Sequence, residues 1–308
     1  MTETKRNPTK QITNVFSIDV EDYYQVSALA PSVSRIDWDK YPSRVEQNTV
    51  RILELLDLRK VKGTFFVLGW VAEKHPELIK EIDRRGHEIA CHGYSHKLIY
   101  NQTPIEFKQE TRRAKDHLEQ LIGKQVFGYR AASYSITHQS LWALDILIEF
   151  GFVYDSSVFP VRHDRYGIPD APRFPHVAER GDSGSIIEFP VSTLNFGVYR
   201  LPVGGGGYFR IFPYWLSSNA IRIINKYEQE PAMFYLHPWE IDPDQPKIPC
   251  SALSRFRHYH NLNQCFQRLD RLLSTQEFGC TMDVLADYRK PLTRFRYTST
   301  GILESGNN

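Results

Sequence analysis

Two histidines four residues apart, His92 and His96, follow the apolar run Ile89-Ala90-Cys91. A tight loop or one helical turn at that spacing lets two imidazoles converge on one ion. With one carboxylate and a water they make an open metal site suited to hydrolysis. Asp19, Glu21 and Asp22 come at the end of the apolar run that starts at Val15. Asp19 and Glu21 share one face of an extended strand, whereas Asp22 lies one step beyond. One of these carboxylates can bind the ion while another takes a proton from water. Arg130, Asp155 and His237 also follow apolar runs, the last after Met233-Phe234-Tyr235-Leu236. Arg130 can hold a base carboxylate ionised, and His237 can protonate a leaving amine.

Such groups act together only if the strands that carry them lie side by side. Short apolar runs predict strands at 15–20, 63–68, 87–92, 126–131, 152–155, 186–189 and 233–236, with a last one at 281–285. Val45, Thr49, Ile52, Leu55 and Leu56 are spaced by three and four, which predicts a helix. Further helices are expected from about Val71 to Gly86, Thr103 to Leu121, Leu141 to Phe150, Phe212 to Tyr227 and Leu262 to Thr275. The alternation predicts an α/β fold, a distorted (β/α) barrel with about seven parallel strands and its site at their carboxyl ends. An open doubly wound sheet is the alternative. Residues 162–185 and the glycines Gly204 to Gly207 look like long functional loops. The glycines let backbone approach a ligand closely, but no G-K-[ST] follows, which excludes a nucleotide loop.

The chain has 308 residues, 41% of them hydrophobic, enough for a sizeable core. A formal net charge of +2 gives no argument for nucleic acid or an anionic membrane surface as partner. The densest basic cluster, Arg255-Phe256-Arg257-His258, reads as a solvated face. The four cysteines form no C-x-x-C pair, so a zinc knuckle is not expected and they read as reduced. The first eleven residues lack the apolar centre of a signal peptide. No stretch approaches the ~20 apolar residues that span a bilayer. No integral membrane segment is therefore expected, and a cytoplasmic location is the default.

In this order the residues resemble the motifs of the polysaccharide deacetylase family, also called carbohydrate esterase family four or the NodB-homology family. The segments are Ser17-Ile18-Asp19-Val20-Glu21-Asp22, His92 to His96, Gly128 to Tyr134, Tyr154-Asp155-Ser156-Ser157 and Phe234-Tyr235-Leu236-His237. Segments 65–72, 163–169, 205–210, 237–243 and 254–259 are similar to a subfamily linked to exopolysaccharide production and the exosortase system. The resemblance covers roughly residues 12–287, one catalytic domain with a subfamily extension from about 240 and tails at 1–11 and 288–308. Two positions depart from the family pattern. The first motif is Asp-Val-Glu-Asp rather than adjacent aspartates, and Ala132 stands where proline usually follows Arg-Ala.

The resemblance implies a NodB-type barrel that removes N-acetyl groups from an N-acetylated glycan, with exopolysaccharide biosynthesis machinery as a partner. Zinc is the metal implied, and cobalt, nickel or iron suit the same ligands. Its ligands would be His92, His96 and a first-motif carboxylate. Strand alternation favours Glu21; the family's short carboxylate at a strand end favours Asp22, the ligand expected, with Glu21 as the alternative. Asp19 would be the base, Arg130 its tether and His237 the acid. Asp155 would orient His237 or wall it in, and backbone N–H near Ser133 or Tyr134 would face the oxyanion. Tyr134, Gly206, Tyr208 and Trp239 are candidates for contact with the sugar. Two rivals stand beside this reading: a catalytically silent carbohydrate-binding or scaffold protein, and an amide hydrolase acting on a small non-sugar substrate.

Overall fold

Seven strands pair in parallel in the order β10-β1-β2-β3-β4-β5-β7, which sets their carboxyl ends along one rim. The computed structural model describes residues 11–197 and 199–305. Most of the expected tail at 1–11 lies outside them. In chain order the strands are β1 (Asn14–Val20), β2 (Thr64–Val67), β3 (Glu88–Cys91), β4 (Gly128–Tyr129), β5 (Tyr154–Asp155), β6 (His176–Glu179), β7 (Ser185–Glu188), β8 (Thr193–Phe196), β9 (Tyr199–Pro202), β10 (Met233–Leu236), β11 (Phe278–Gly279), β12 (Arg294–Thr298) and β13 (Gly301–Glu304). The crossovers are α1 (Val45–Arg59), α2 (Gly69–Lys74), α3 (Pro76–Arg84), α4 (Pro104–Ile122) and α5 (Trp142–Glu149).

Side-chain alternation sorts each strand into two faces. Phe16, Ile18 and Val20 of β1, Phe65 and Val67 of β2, and Phe234 and Leu236 of β10 join the large core under the helices. Burying each of these is worth about 1.5–3 kcal/mol. The residues between them point to the other face, where Ser17 and Asp19 meet Arg130. Phe66, Ala90 and Tyr154 pack together on that side as well. Local signals bound the helices. Thr103 caps α4 by accepting from the Glu106 N–H at 3.2 Å while Glu106 accepts from the Thr103 N–H at 2.8 Å. Gly123, at φ +67°, ends it.

The ladder stays open between β7 and β10, and single hydrogen bonds bridge the gap. The Ser192 N–H donates to the Met233 carbonyl at 3.2 Å, and the Tyr235 N–H donates to the Gly204 carbonyl at 2.7 Å. The expected distorted barrel with about seven parallel strands is this arrangement, extended by β6, β12 and β13 on the β7 side.

Two expectations change. Residues 281–285 are helical (α10, Thr281–Ala286), and the strand found there is β11, just before them, which adds a short parallel pairing to the start of β1. The Thr281 N–H donates to Thr64 Oγ1 at 2.8 Å, which turns the chain out of the sheet there. Residues 294–304, expected as tail, form a hairpin whose first strand pairs in parallel with β6. The remaining helices are α6 (Gly206–Ile211), α7 (Tyr214–Ile223), α8 (Ala252–Tyr259) and α9 (Leu262–Leu273), before α10. Among the described residues no helix is long and apolar enough to cross a membrane.

Candidate active site

A cavity of about 340 Å³ opens at the carboxyl ends of β1, β3 and β10, and Asp19, Glu21, His92, His96 and His237 line it. The backbone ladder aims these residues. The His92 N–H donates to the Val67 carbonyl and the Arg130 N–H to the Cys91 carbonyl, both at 2.9 Å, so each residue is fixed one step past its strand. His96 sits at φ +51°, a left-handed conformation that a non-glycine residue adopts only when its surroundings enforce it. Arg35 enforces it by donating to the carbonyls of Ser95 at 2.7 Å and His96 at 3.0 Å.

One ligand atom each from Glu21, His92 and His96 lies within 4.8 Å of the others, and all three residues are buried. His92 Nδ1 is 2.7 Å from the Arg130 carbonyl; that contact requires the proton on Nδ1 and leaves Nε2 a lone pair for an ion. Burial lowers the His92 pKa to about 4, so the ring is neutral and competent as a ligand. Burial works against ionisation of Glu21, but His96, His237 and His92 outweigh it and hold the carboxyl at about 2. Although His96 Nε2 is 2.8 Å from Glu21 Oε2, that oxygen has no properly directed hydrogen bond. A buried carboxylate oxygen without a donor, beside two imidazoles, fits a divalent cation.

Asp22 does not join this cluster. Its Oδ2 accepts from Ser43 Oγ at 2.7 Å and from the N–H groups of Arg44 and Val45 at 2.9 and 3.2 Å, which caps α1. Its Oδ1 accepts from the Tyr23 N–H at 3.1 Å. The alternative, Glu21, takes the place expected for Asp22, as strand alternation requires.

Asp19 lies under the cluster. Arg130 NH1 donates to its Oδ1 at 2.6 Å, and Oδ2 faces His237 Nε2 at 3.9 Å. The Arg130 guanidinium is fully buried, also donates to the hydroxyls of Ser17 and Ser156 at 3.0 Å, and lies over the Phe66 ring at 3.9 Å. After it, Ser133 and Tyr134 both take left-handed φ values, +51° and +54°, in the segment where Ala132 replaces proline. The Tyr134 N–H is spent on the Ala131 carbonyl at 3.0 Å. Ser133, which lines the cavity, carries the other candidate donor for an oxyanion.

Asp155 does not reach His237. Tyr154 faces the interior, so Asp155, next along β5, faces the helices. There it is registered against Glu188, and Ser157 Oγ donates to it at 2.5 Å. Burial raises the pKa of both acids, Glu188 further, and they share a proton rather than two charges.

Glu240 is the partner that His237 has instead. Its Oε2 lies 3.0 Å from His237 Nδ1 and accepts from the His237 N–H, also at 3.0 Å. Arg210 Nε donates to the other oxygen at 2.8 Å. Burial works against charge on Glu240, but Arg210 and His237 hold its pKa at about 2. Burial alone would lower the His237 pKa; Glu21, Glu240 and Asp19 instead raise it to about 9. Arg210 is itself anchored to the carbonyls of Arg257, His258 and His260, at 2.7–3.1 Å. Sequence reasoning missed both Glu240 and Arg210. Their one local signal was Glu240 three residues after His237, a helix-capping spacing.

The four residues expected to touch sugar divide. Tyr134 and Tyr208 line the cavity. Gly206 does not; a Cβ there would run into the Glu240 carboxylate, so this glycine makes room for Glu240, and Gly207 lines the cavity in its place. Trp239 reaches the cavity, and His237 and His258 stack against it at 5.0 and 4.2 Å. That stack also buries His258, which the sequence placed on a solvated face.

Known proteins resemble this chain in segments of its sequence and in its fold. Residues 30–148 match the model described as polysaccharide deacetylase, and residues 156–286 match a domain of unknown function, DUF3473. A peptidoglycan-N-acetylglucosamine deacetylase of Bacillus cereus is 37% identical over 75 residues, 24% of this chain and 27% of that protein. A polysaccharide deacetylase-type protein of Bacillus subtilis, YheN, is 28% identical over 137 residues, 42% of this chain and 48% of its own. The chain spans less than half the length of these two curated relatives. The crystal structure of a Mycobacterium smegmatis protein assigned as a polysaccharide deacetylase superposes with a TM-score of 0.60 at 22% identity, covering 94% of this chain and 96% of that one.

Proposed function

We propose that this chain, whose residues 30–148 match the polysaccharide deacetylase model and residues 156–286 the DUF3473 model, is a hydrolase that removes N-acetyl groups from an N-acetylated glycan. The observation that carries this reading is Asp19. One oxygen is held by Arg130 and the other is free toward His237, directly beside a two-histidine, one-carboxylate cluster.

A divalent cation, zinc by preference, would be held by Glu21, His92 and His96, and would polarise the acetyl carbonyl and acidify a water. Asp19 takes the proton of the attacking water through its free Oδ2. Arg130 keeps Asp19 charged and fixes the orientation of its carboxylate. His237, aligned by Glu240, delivers a proton to the leaving amine. The Ser133 N–H faces the developing oxyanion, a contact worth on the order of 3 kcal/mol in other enzymes. The glycan is that of an exopolysaccharide. The subfamily segments at 163–169, 205–210, 237–243 and 254–259 all fall inside the DUF3473 match and supply much of the cavity wall.

The test is acetate release from N-acetylglucosamine oligomers by zinc-loaded protein, beside Asp19→Asn and His92→Ala. Release that both substitutions abolish supports the reading. Binding of one metal equivalent without release from any N-acetylated oligosaccharide would leave a carbohydrate-binding protein in its place.

A further inference from the structure

The acids on the cavity floor all have basic side chains beside them. Asp19 is paired with Arg130 and Glu240 with Arg210, and Glu21 faces the imidazoles of His92 and His96. The mouth is different, because Arg165 and Arg257 line the same cavity and neither has a carboxylate partner among the described residues. Their backbones are nevertheless fixed. The Arg165 carbonyl accepts from Tyr100 Oη at 3.0 Å and its N–H donates to His163 Nδ1 at 3.2 Å. The Arg257 carbonyl accepts from Arg210 NH2 at 2.9 Å.

The loop that presents Arg165 is a built structure. The Ile168 N–H closes it onto the Phe159 carbonyl at 2.9 Å. Phe159, Tyr166 and His163 stack within it, with centroids 5.6 and 3.8 Å apart, and Tyr166 Oη meets Tyr208 Oη at 3.2 Å. Gly167, at φ +101°, has no room for a side chain against the Val161 carbonyl. Burial lowers the His163 pKa; Asp164, 2.9 Å from that ring, works against this, and Arg165 and Arg257 add to it, so both guanidinium groups lie in the field of His163. Asp164 does not line the cavity. Anchored arginines with free guanidinium groups suit a planar, doubly accepting anion.

We propose that Arg165 and Arg257 form an anion-reading edge, and that the glycan this site accepts carries a carboxylate or phosphate beside the sugar to be deacetylated. This deepens the deacetylase reading and rests on it for the identity of the neighbouring sugar.

Binding and turnover are measured separately, so that the two ideas fail apart. The probes are a neutral N-acetylglucosamine tetramer, an oligosaccharide alternating N-acetylglucosamine with glucuronate, and uridine diphosphate N-acetylglucosamine. Binding to the Asp19→Asn protein is followed by calorimetry, and acetate release by the unsubstituted protein. One anionic probe should bind at least about tenfold more tightly than the neutral one, with the preference shrinking as salt rises. The glucuronate and diphosphate arms tell the two sources apart. Arg165→Gln with Arg257→Gln should remove the preference, so that neutral and anionic probes bind alike. Equal binding of all three probes, or a preference the double substitution leaves intact, overturns the proposal whatever the acetate assay reads. Anion preference without acetate release from any probe instead counts against the deacetylase reading alone.

Discussion

Asp19 and His237 face each other across 3.9 Å, but the two sides are held by unlike means. The Asp19 side is held by strand ends. Arg130 follows β4, Ser17 and Asp19 lie on β1 and Ser156 follows β5, each aimed by the ladder. The His237 side starts at the end of β10 but is held by turns and helices beyond it. Glu240 lies in a short turn after His237, and Arg210 reaches it from α6 while gripping three carbonyls around the end of α8. A carboxylate fixed by a ladder is as rigid as the barrel. An imidazole fixed through a guanidinium on backbone carbonyls is as rigid as the segment that supplies them.

The sharpest break of this comparison is Asp19→Asn, which should lower acetate release by about 10²- to 10⁴-fold with bound metal unchanged. Loss of metal as well, read by elemental analysis, would make Asp19 a ligand and end the division of labour. Next, Glu240→Gln should lower kcat by roughly 10- to 100-fold while metal content stays constant. Gly206→Ala should follow it, because its Cβ takes the space of the Glu240 carboxylate, whereas a Cβ at Gly207 meets no protein atom and should leave Glu240 in place. An unaffected Gly206→Ala protein would show that Glu240 does not hold His237.

Stability separates the neighbouring acids. Asp22→Ala should cost about 1–2 kcal/mol of unfolding free energy and leave metal content unchanged. Glu21→Gln should do the reverse, and denaturant melts beside metal analysis check both. The smallest effect concerns Asp155 and Glu188, on the helix side of the sheet. Burial raises both folded-state pKa values, so the folded protein keeps protons that the unfolded chain releases. Their contribution is complete below about pH 4 and is lost as pH rises toward the raised values. Between about pH 5 and pH 8 the Tm of wild type should therefore fall more than that of Glu188→Gln. Parallel curves would show that the pair carries no shared proton.

Much of the base side could be read from the sequence because it follows a period of two. Alternation along β1 already placed Glu21 with Asp19, and the family motif's short carboxylate pulled the expectation to Asp22. What the sequence hid was the N-terminus of α1, whose first N–H groups claim Asp22 from more than twenty residues away. Asp155 went astray for a related reason. Its parity on β5 follows from Tyr154, and its partner Glu188 is 33 residues on. Arg210 and Glu240 left almost no trace, since a salt bridge spanning thirty residues has no period. The same distance hid the cavity-lining role of Arg257, in a cluster that read as solvated.

The grip of Arg210 on the 257–260 carbonyls also has a meaning in chain order. Residues 14–156 carry Asp19, Glu21, His92, His96 and Arg130, so a growing chain has those parts first. The His237 side gains its anchor only when residue 260 is in place, because Arg210 grips the carbonyls of Arg257, His258 and His260. The order of synthesis therefore completes the support of Asp19 early and that of His237 late, about a hundred residues apart in the chain.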